Sequence, residues 1–224
     1  MELPRIQYIT HPEEDFEDYA WLHRLSEGGV KWVQLRIKEE DFYAKHPEAH
    51  FQAYLHEKAE QMQLICEALG VLLTINDHPQ VAAFSNAGGV HVGQEDADPA
   101  EVRALTGPEL VIGLTANSIQ ELAGKTLAEV QYIGVGPYQA TTTKKTSKPM
   151  LGLTGYQSLV AQLQAQALAL PVFAIGGITK EDIQPVLQQG VYGIALSGLI
   201  FRQGHAVGAI REIIHEIEQV YGQA

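Results

Sequence analysis

The sequence is short of cysteine, of positive charge and of long apolar runs, and each shortage removes a class of protein. Cys66 is the one cysteine in 224 residues, so no disulfide can form within the chain. It falls in the helical-looking stretch Gln61–Leu69 and reads as a small core hydrophobe rather than a nucleophile. Lys and Arg number 15 against 27 Asp and Glu, a formal charge of −12. A nucleic-acid surface needs clustered cations, so that class of partner is excluded. No stretch approaches the ~18 apolar residues of a membrane span, and Met1–Arg5 runs into Ile6–Ile9 without a charged leader and long apolar core. The expectation is a soluble cytoplasmic protein with no nucleic-acid and no membrane partner. The histidines are scattered without zinc spacing, no Ser-His-Asp arrangement is evident, and neither a P-loop nor a Gly-x-Gly-x-x-Gly turn follows an early strand. Nothing in the sequence fixes the oligomeric state, and a homo-oligomer stays open.

What is present is alternation. With 46% apolar residues the chain can fill one large core. Short Val/Ile/Leu-rich runs at Ile6–Thr10, Lys31–Arg36, Val71–Asn76, Gly89–Gly93, Leu110–Thr115, Val130–Gly134, Pro171–Ile175 and Gly193–Ser197 read as parallel strands covered on both faces. Helical patterns lie between them at Tyr19–Glu27, Phe51–Leu69, Pro99–Leu105, Gly155–Gln166, Lys180–Gln189 and Ala206–Tyr221. Asp98-Pro99 and Thr179 are plausible helix starts, and Gly70 and Gly190 suit helix ends. Eight such units spaced by roughly 25–30 residues are what a (β/α)8 TIM barrel requires, so the fold class is α/β with residues 1–224 as a single barrel domain. A doubly wound open sheet is the competitor. The connections 39–50 and 137–153 exceed usual loop lengths and are candidate lids over the catalytic face.

Chemistry gathers at the carboxyl ends of the strands, where α/β folds build their sites. Asp77 and Asp96 follow neighbouring strands. Together they suit a Mg²⁺ site, because two hard oxygens leave room for water and phosphate; alternatively each caps the helix that follows it. Alternation puts Gln34, Arg36 and Lys38 on one face of the second strand. An anionic ligand would satisfy them, with Arg36 as a fork and Lys38 as a point charge, unless they pair internally with an acid. Thr115 ends the fifth strand and either bonds a phosphate oxygen or caps the helix at Ser118–Leu122. The sixth loop, Gly136 to Lys145, offers hydroxyls and a lysine suited to gripping phosphate. The glycines after strands seven and eight, Gly176-Gly177 and Ser197-Gly198, form a second, metal-free phosphate cup. Trp32 beside Gln34 reads as core, Glu95 as solvent-facing, and His91 as a strand residue with no assigned task.

In this order, Gln34-Leu35-Arg36-Ile37-Lys38, Asn76-Asp77, Gly93-Gln94-Glu95-Asp96, Gly134-Val135-Gly136-Pro137, Thr141-Thr142-Thr143-Lys144, Gly152 and Ile175-Gly176-Gly177-Ile178 resemble the thiamine-phosphate synthase family from about Ile6 to Ile200. The resemblance implies a (β/α)8 barrel that joins hydroxymethylpyrimidine diphosphate to hydroxyethylthiazole phosphate, releasing pyrophosphate by a dissociative route. It further implies Mg²⁺ on Asp77 and Asp96. Gln34, Arg36, Lys38, Asn76, Thr115 and Lys144 would contact the pyrimidine diphosphate, with Arg36, Lys38, Lys144 and Thr115 catalytic. Thr141, Thr143, Gly177, Ser197 and Gly198 would hold the thiazole phosphate. The partners implied are small phosphorylated molecules. Thr115 stands where the family commonly has Ser, Asn117 where it often has His, and Ala140 where it often has Pro. Leu196-Ser197-Gly198 departs from the usual final phosphate turn. Two alternatives are a thiazole tautomerase-like isomerase on the same scaffold and a non-catalytic phosphate-binding barrel. Retention of Asp77 and Asp96, and the lack of His at 117, favour the synthase.

Overall fold

A computed structural model describes residues 2–141 and 148–222. Its strands are β1 (Ile6–Ile9), β2 (Trp32–Leu35), β3 (Leu72–Asn76), β4 (Gly89–Val92), β5 (Val111–Thr115), β6 (Tyr132–Val135), β7 (Val172–Ile175) and β8 (Gly193–Leu196). They pair in parallel, in chain order, and β1 closes on β8 with Ile6 opposite Ile194. The helices are α1 (Ala20–Gly28), α2 (Glu39–Lys45), α3 (Phe51–Leu69), α4 (Pro79–Phe84), α5 (Pro99–Thr106), α6 (Ile119–Leu122), α7 (Gly152–Ala165), α8 (Ile183–Leu187), α9 (Gly198–Phe201) and α10 (Val207–Tyr221). The fold is the (β/α)8 TIM barrel, and the open sheet is excluded by closure.

Each element forms for a local reason. In α3 the buried residues Phe51, Leu55, Ala59, Met62 and Cys66 recur at helical spacing and join the core, buried Lys58 pairs with Glu17 and Glu57, and Gly70 ends the helix at φ 62°. Cys66 is fully buried, and burial pushes its thiol up to about 12, as an inert core residue should be. Asp98 caps α5 by accepting from the Ala100 amide at 2.9 Å.

Three segments differ from the sequence reading. The polar stretch 39–50 contains α2, whose acidic first turn and Lys45 at its end match the helix dipole, although Phe42 is its one buried residue. α7 begins earlier, at Gly152, because Leu151 and Gly152 donate to the carbonyls of Pro137 and Tyr138. α8 begins later, since Asp182 accepts from the Thr179 amide (2.9 Å) and hydroxyl (2.7 Å) and shapes a turn ahead of it.

Two cores result. The larger lies between barrel and helices. The smaller plugs the barrel's lower interior with Leu3, Trp32, Val111, Tyr132 and Phe173. The ring of Trp32 meets those of Tyr132 and Phe173 edge-on at 4.8 and 5.0 Å, and its indole N–H donates to Thr74 Oγ1 at 2.7 Å. Aromatic contacts of this kind add about 0.5–1.5 kcal/mol each beyond area burial. Gly113 is required opposite Tyr132, because a Cβ there would run into the phenol ring. Above the plug the interior turns polar, and there the site begins.

Candidate functional site at the carboxyl ends of the strands

A cavity of about 780 Å³ opens at the carboxyl ends of the strands. Gln34, Arg36, Asn76, Thr115, Thr141, Gly177, Ser197 and Gly198 all line it, so eight residues singled out in the sequence share one space. Asp77, Asp96 and Lys38 stand beside that space as a linked group. Thr143 and Lys144 lie outside the described residues.

The acidic end is built from β2, β3 and β4. The Lys38 ammonium donates to Asp77 Oδ2, so Lys38 is internally paired; it lines a small neighbouring cavity rather than the large one. Asp77 adopts φ 64°, a left-handed conformation uncommon for a residue that carries a Cβ. It caps no helix: α4 starts from His78 without a side-chain cap. Asp96 does not cap α5 either, because Asp98 does so, and Asp96 Oδ2 instead accepts from the Gly93 amide at 2.6 Å. Burial opposes ionisation of Asp77, but the hydrogen bond and charge of Lys38 outweigh it and hold the carboxyl below its ordinary value. Burial raises the Asp96 carboxyl, and the charge of Asp77 adds to this against the pull of the Gly93 amide. Two part-buried carboxyls that interact directly, one of them paired with Lys38, form a hard-oxygen donor set. Among the described residues no third His, Cys, Asp or Glu joins them. That suits Mg²⁺, which takes one or two carboxylates and fills its shell with water and phosphate oxygens. Burial lowers the Arg36 guanidinium while nearby Asp77, Asp41 and Glu40 support its charge.

The floor is a hydrogen-bonded chain. Gln34 Nε2 donates to Gln7 Oε1 and Gln7 Nε2 to the Tyr132 hydroxyl, both at 3.3 Å. The Tyr132 hydroxyl lies 2.9 Å from His91 Nδ1, and His91 Nε2 lies 2.9 Å from Thr115 Oγ1. Thr115 therefore does not cap α6; the Ser118 hydroxyl does, accepting from the Glu121 amide. His91, left without a task in the sequence, belongs to the cavity wall. The signal was available in its position between Val90 and Val92, whose outward faces send the histidine inward.

The far end is the glycine cup. Gly177 holds φ 74°, and a Cβ there would meet the carbonyls of Gln139 and Ala140. Ser197 Oγ is buried and has no hydrogen-bond partner among the described residues. Asn117 ties the end of β6 to α6: its Oδ1 accepts from the Gly136 amide at 2.9 Å, and its own amide donates to Glu121 Oε2 at 2.9 Å. Lys148 pairs with Glu121 Oε1 at 2.7 Å and draws the end of the sixth loop onto α6.

The sequence model for thiamine monophosphate synthase matches residues 6–200. The chain belongs to the thiamine monophosphate synthase family. A thiamine-phosphate synthase of Phocaeicola vulgatus is 37% identical over 210 residues, covering 94% of this chain and 96% of the relative. One from Azorhizobium caulinodans is 41% identical over 169 residues, 75% of this chain and 73% of that one. Among solved structures, a thiamine phosphate pyrophosphorylase from Pyrococcus furiosus superposes with a TM-score of 0.76 over 96% of both chains; at 24% identity it supports the fold alone. Among the described residues no helix is long and apolar enough to cross a membrane.

Proposed function

We propose that the protein condenses 4-amino-2-methyl-5-(diphosphooxymethyl)pyrimidine with 4-methyl-5-(2-phosphooxyethyl)thiazole, giving thiamine phosphate and pyrophosphate. The observation that supports this most is a single cavity lined by Arg36 at one end, with Asp77 and Asp96 beside it, and by a separate glycine cup, in a chain of this family. A reaction between a diphosphate and a monophosphate needs two unlike anion sites that face each other.

In this reading the methylene–oxygen bond of the pyrimidine substrate breaks first, and its electron pair leaves with pyrophosphate. The 4-amino group of the ring supports the cation left behind. The thiazole nitrogen then forms the new carbon–nitrogen bond with its lone pair. No side-chain nucleophile is needed, so the protein's work is stabilising the leaving group, aligning the partner and excluding water. Asp77 and Asp96 would hold Mg²⁺, which when bound neutralises charge growing on the leaving diphosphate. Arg36 grips that diphosphate as a fork, and Lys38 keeps Asp77 ionised and adds positive charge; the family resemblance adds Lys144 as a further diphosphate contact. Gln34 and Asn76 bind the pyrimidine side.

The floor chain gives Thr115 a direction. With the His91 proton on Nε2, His91 accepts from the Tyr132 hydroxyl at Nδ1 and donates to Thr115, whose own proton is then left for a substrate oxygen. Thr141 and Thr143, with Gly177 and the Ser197-Gly198 turn, hold the thiazole phosphate. The segments 39–50 and 137–153 serve as lids on one barrel domain spanning the chain.

The test is pyrophosphate release by purified protein with both substrates and Mg²⁺, repeated with each substrate omitted and with EDTA. Release that needs all three components, matched by thiamine phosphate on a chromatogram, is the expected result. Release without the thiazole phosphate, or none with folded protein, overturns it.

A further inference from the structure

The glycine cup has a cation that the family resemblance did not bring forward. Arg202 lines the cavity, and its amide donates to the Gly198 carbonyl at 3.1 Å, one helical turn along. Residues four apart share a helix face, and helical side chains lean toward the N-terminus. The Arg202 stem therefore leads back over Ser197 and Gly198. The turn that carries it is pinned from below. The Phe201 ring stacks on His11 at 4.0 Å, 9° from parallel, and meets His205 edge-on at 5.9 Å. His205, at φ 55°, places Nε2 2.9 Å from the Tyr8 hydroxyl, which donates to buried Glu14 at 2.5 Å.

Three described cations line the cavity: Arg36, Lys148 and Arg202. Arg36 belongs to the diphosphate end and Lys148 pairs with Glu121. The exposed Arg202 makes no hydrogen bond or ion pair through its guanidinium to another described residue. In the same cavity lining the buried Ser197 hydroxyl also has no hydrogen-bond partner among the described residues. In a chain of net charge −12, a phosphate dianion needs a local cation.

We propose that Arg202 is a specificity-determining residue: its guanidinium closes over the phosphate seated on Gly177 and Ser197-Gly198 and makes the site demand a phosphorylated thiazole. This rests on the function proposed above. A planar fork suits a phosphate monoester, whereas lysine would supply only a point charge.

The test compares wild type with Arg202→Ala and Arg202→Lys. Steady-state KM is measured for each substrate, and direct binding is measured for the thiazole phosphate and for its dephosphorylated alcohol. Loss of a charge-assisted bond should raise the thiazole phosphate KM about tenfold or more in Arg202→Ala, with partial recovery in Arg202→Lys. The pyrimidine diphosphate KM should stay within about twofold, and alcohol binding should not change. Equal weakening of phosphate and alcohol, or an unchanged thiazole phosphate KM, overturns the assignment. If wild type shows no turnover, the function proposed above fails, and the binding comparison still decides Arg202.

Discussion

His91 Nε2 and Thr115 Oγ1 stand 2.9 Å apart on adjacent strands, at the end of a hydrogen-bonded chain that begins at Gln34. The Nε2–H tautomer of His91 would donate to Thr115 and leave the Thr115 proton for a substrate oxygen. Thr115→Val keeps the shape and removes the donor. It should lower kcat/KM for the pyrimidine diphosphate by roughly 10²-fold, the usual cost of one preorganised donor, with little change in melting temperature. Thr115→Ser should stay within a few fold of wild type. Steady-state kinetics and thermal unfolding of both variants check this, and an active Thr115→Val would remove Thr115 from the mechanism.

The split between the two carboxyls gives a second expectation. Asp77 is held ionised by Lys38, whereas burial keeps Asp96 more readily protonated. Asp77→Asn and Asp96→Asn should each cut turnover by about 10²-fold or more and shift the Mg²⁺ dependence to higher concentration. Titration of rate with Mg²⁺ reads both effects. Wild-type rates with an unchanged metal requirement would take the metal away from this pair.

The plug beneath the site links stability to function. Gly113→Ala would press a methyl group into the Tyr132 ring, and overpacking of this sort costs about 1–3 kcal/mol. Tyr132→Phe removes the hydroxyl between Gln7 and His91, at about 1–3 kcal/mol for stranded buried partners. The two differ in activity: Tyr132→Phe also frees the His91 tautomer and should lower kcat, whereas Gly113→Ala should act mainly on stability. Chemical denaturation alongside kcat separates them.

The strands were legible because apolar runs covered on both faces leave continuous Val/Ile/Leu stretches, and β3 falls within a residue of its expected span. Gln34 and Arg36 were legible from alternation along the second strand and Thr115 from its place at a strand end, whereas Asn76 came forward only through the family resemblance. Helix α2 was not, because a helix that buries one side chain, Phe42, shows no apolar stripe. The pairing of Lys38 with Asp77 was open in the sequence, since alternation gives a side chain's face but not its partner across the barrel. His91 was passed over because an isolated histidine is ambiguous until its neighbours on other strands are known. Arg202 escaped for a similar reason: only the turn after β8 places it above Gly198.

Glu121 carries a pH dependence that can be worked through by sign. Burial disfavours its charge, but Lys148 at 2.7 Å and the Asn117 amide at 2.9 Å outweigh this and hold the carboxyl below its ordinary 4.5. A carboxyl lowered in the folded state binds its proton more readily when unfolded. Its stabilising contribution is therefore complete above the ordinary value and disappears as pH falls through the lowered one. Glu121→Gln removes the titrating group. Wild type should melt higher than Glu121→Gln near neutral pH, and the gap should close once acidification protonates the carboxyl in the folded chain as well. Melting curves of both proteins across that range give the answer, and a gap independent of pH would show that the Lys148 and Asn117 contacts do not depend on the Glu121 charge. Because those contacts tie the base of the sixth loop to Asn117, Glu121→Gln should also raise the thiazole phosphate KM at neutral pH.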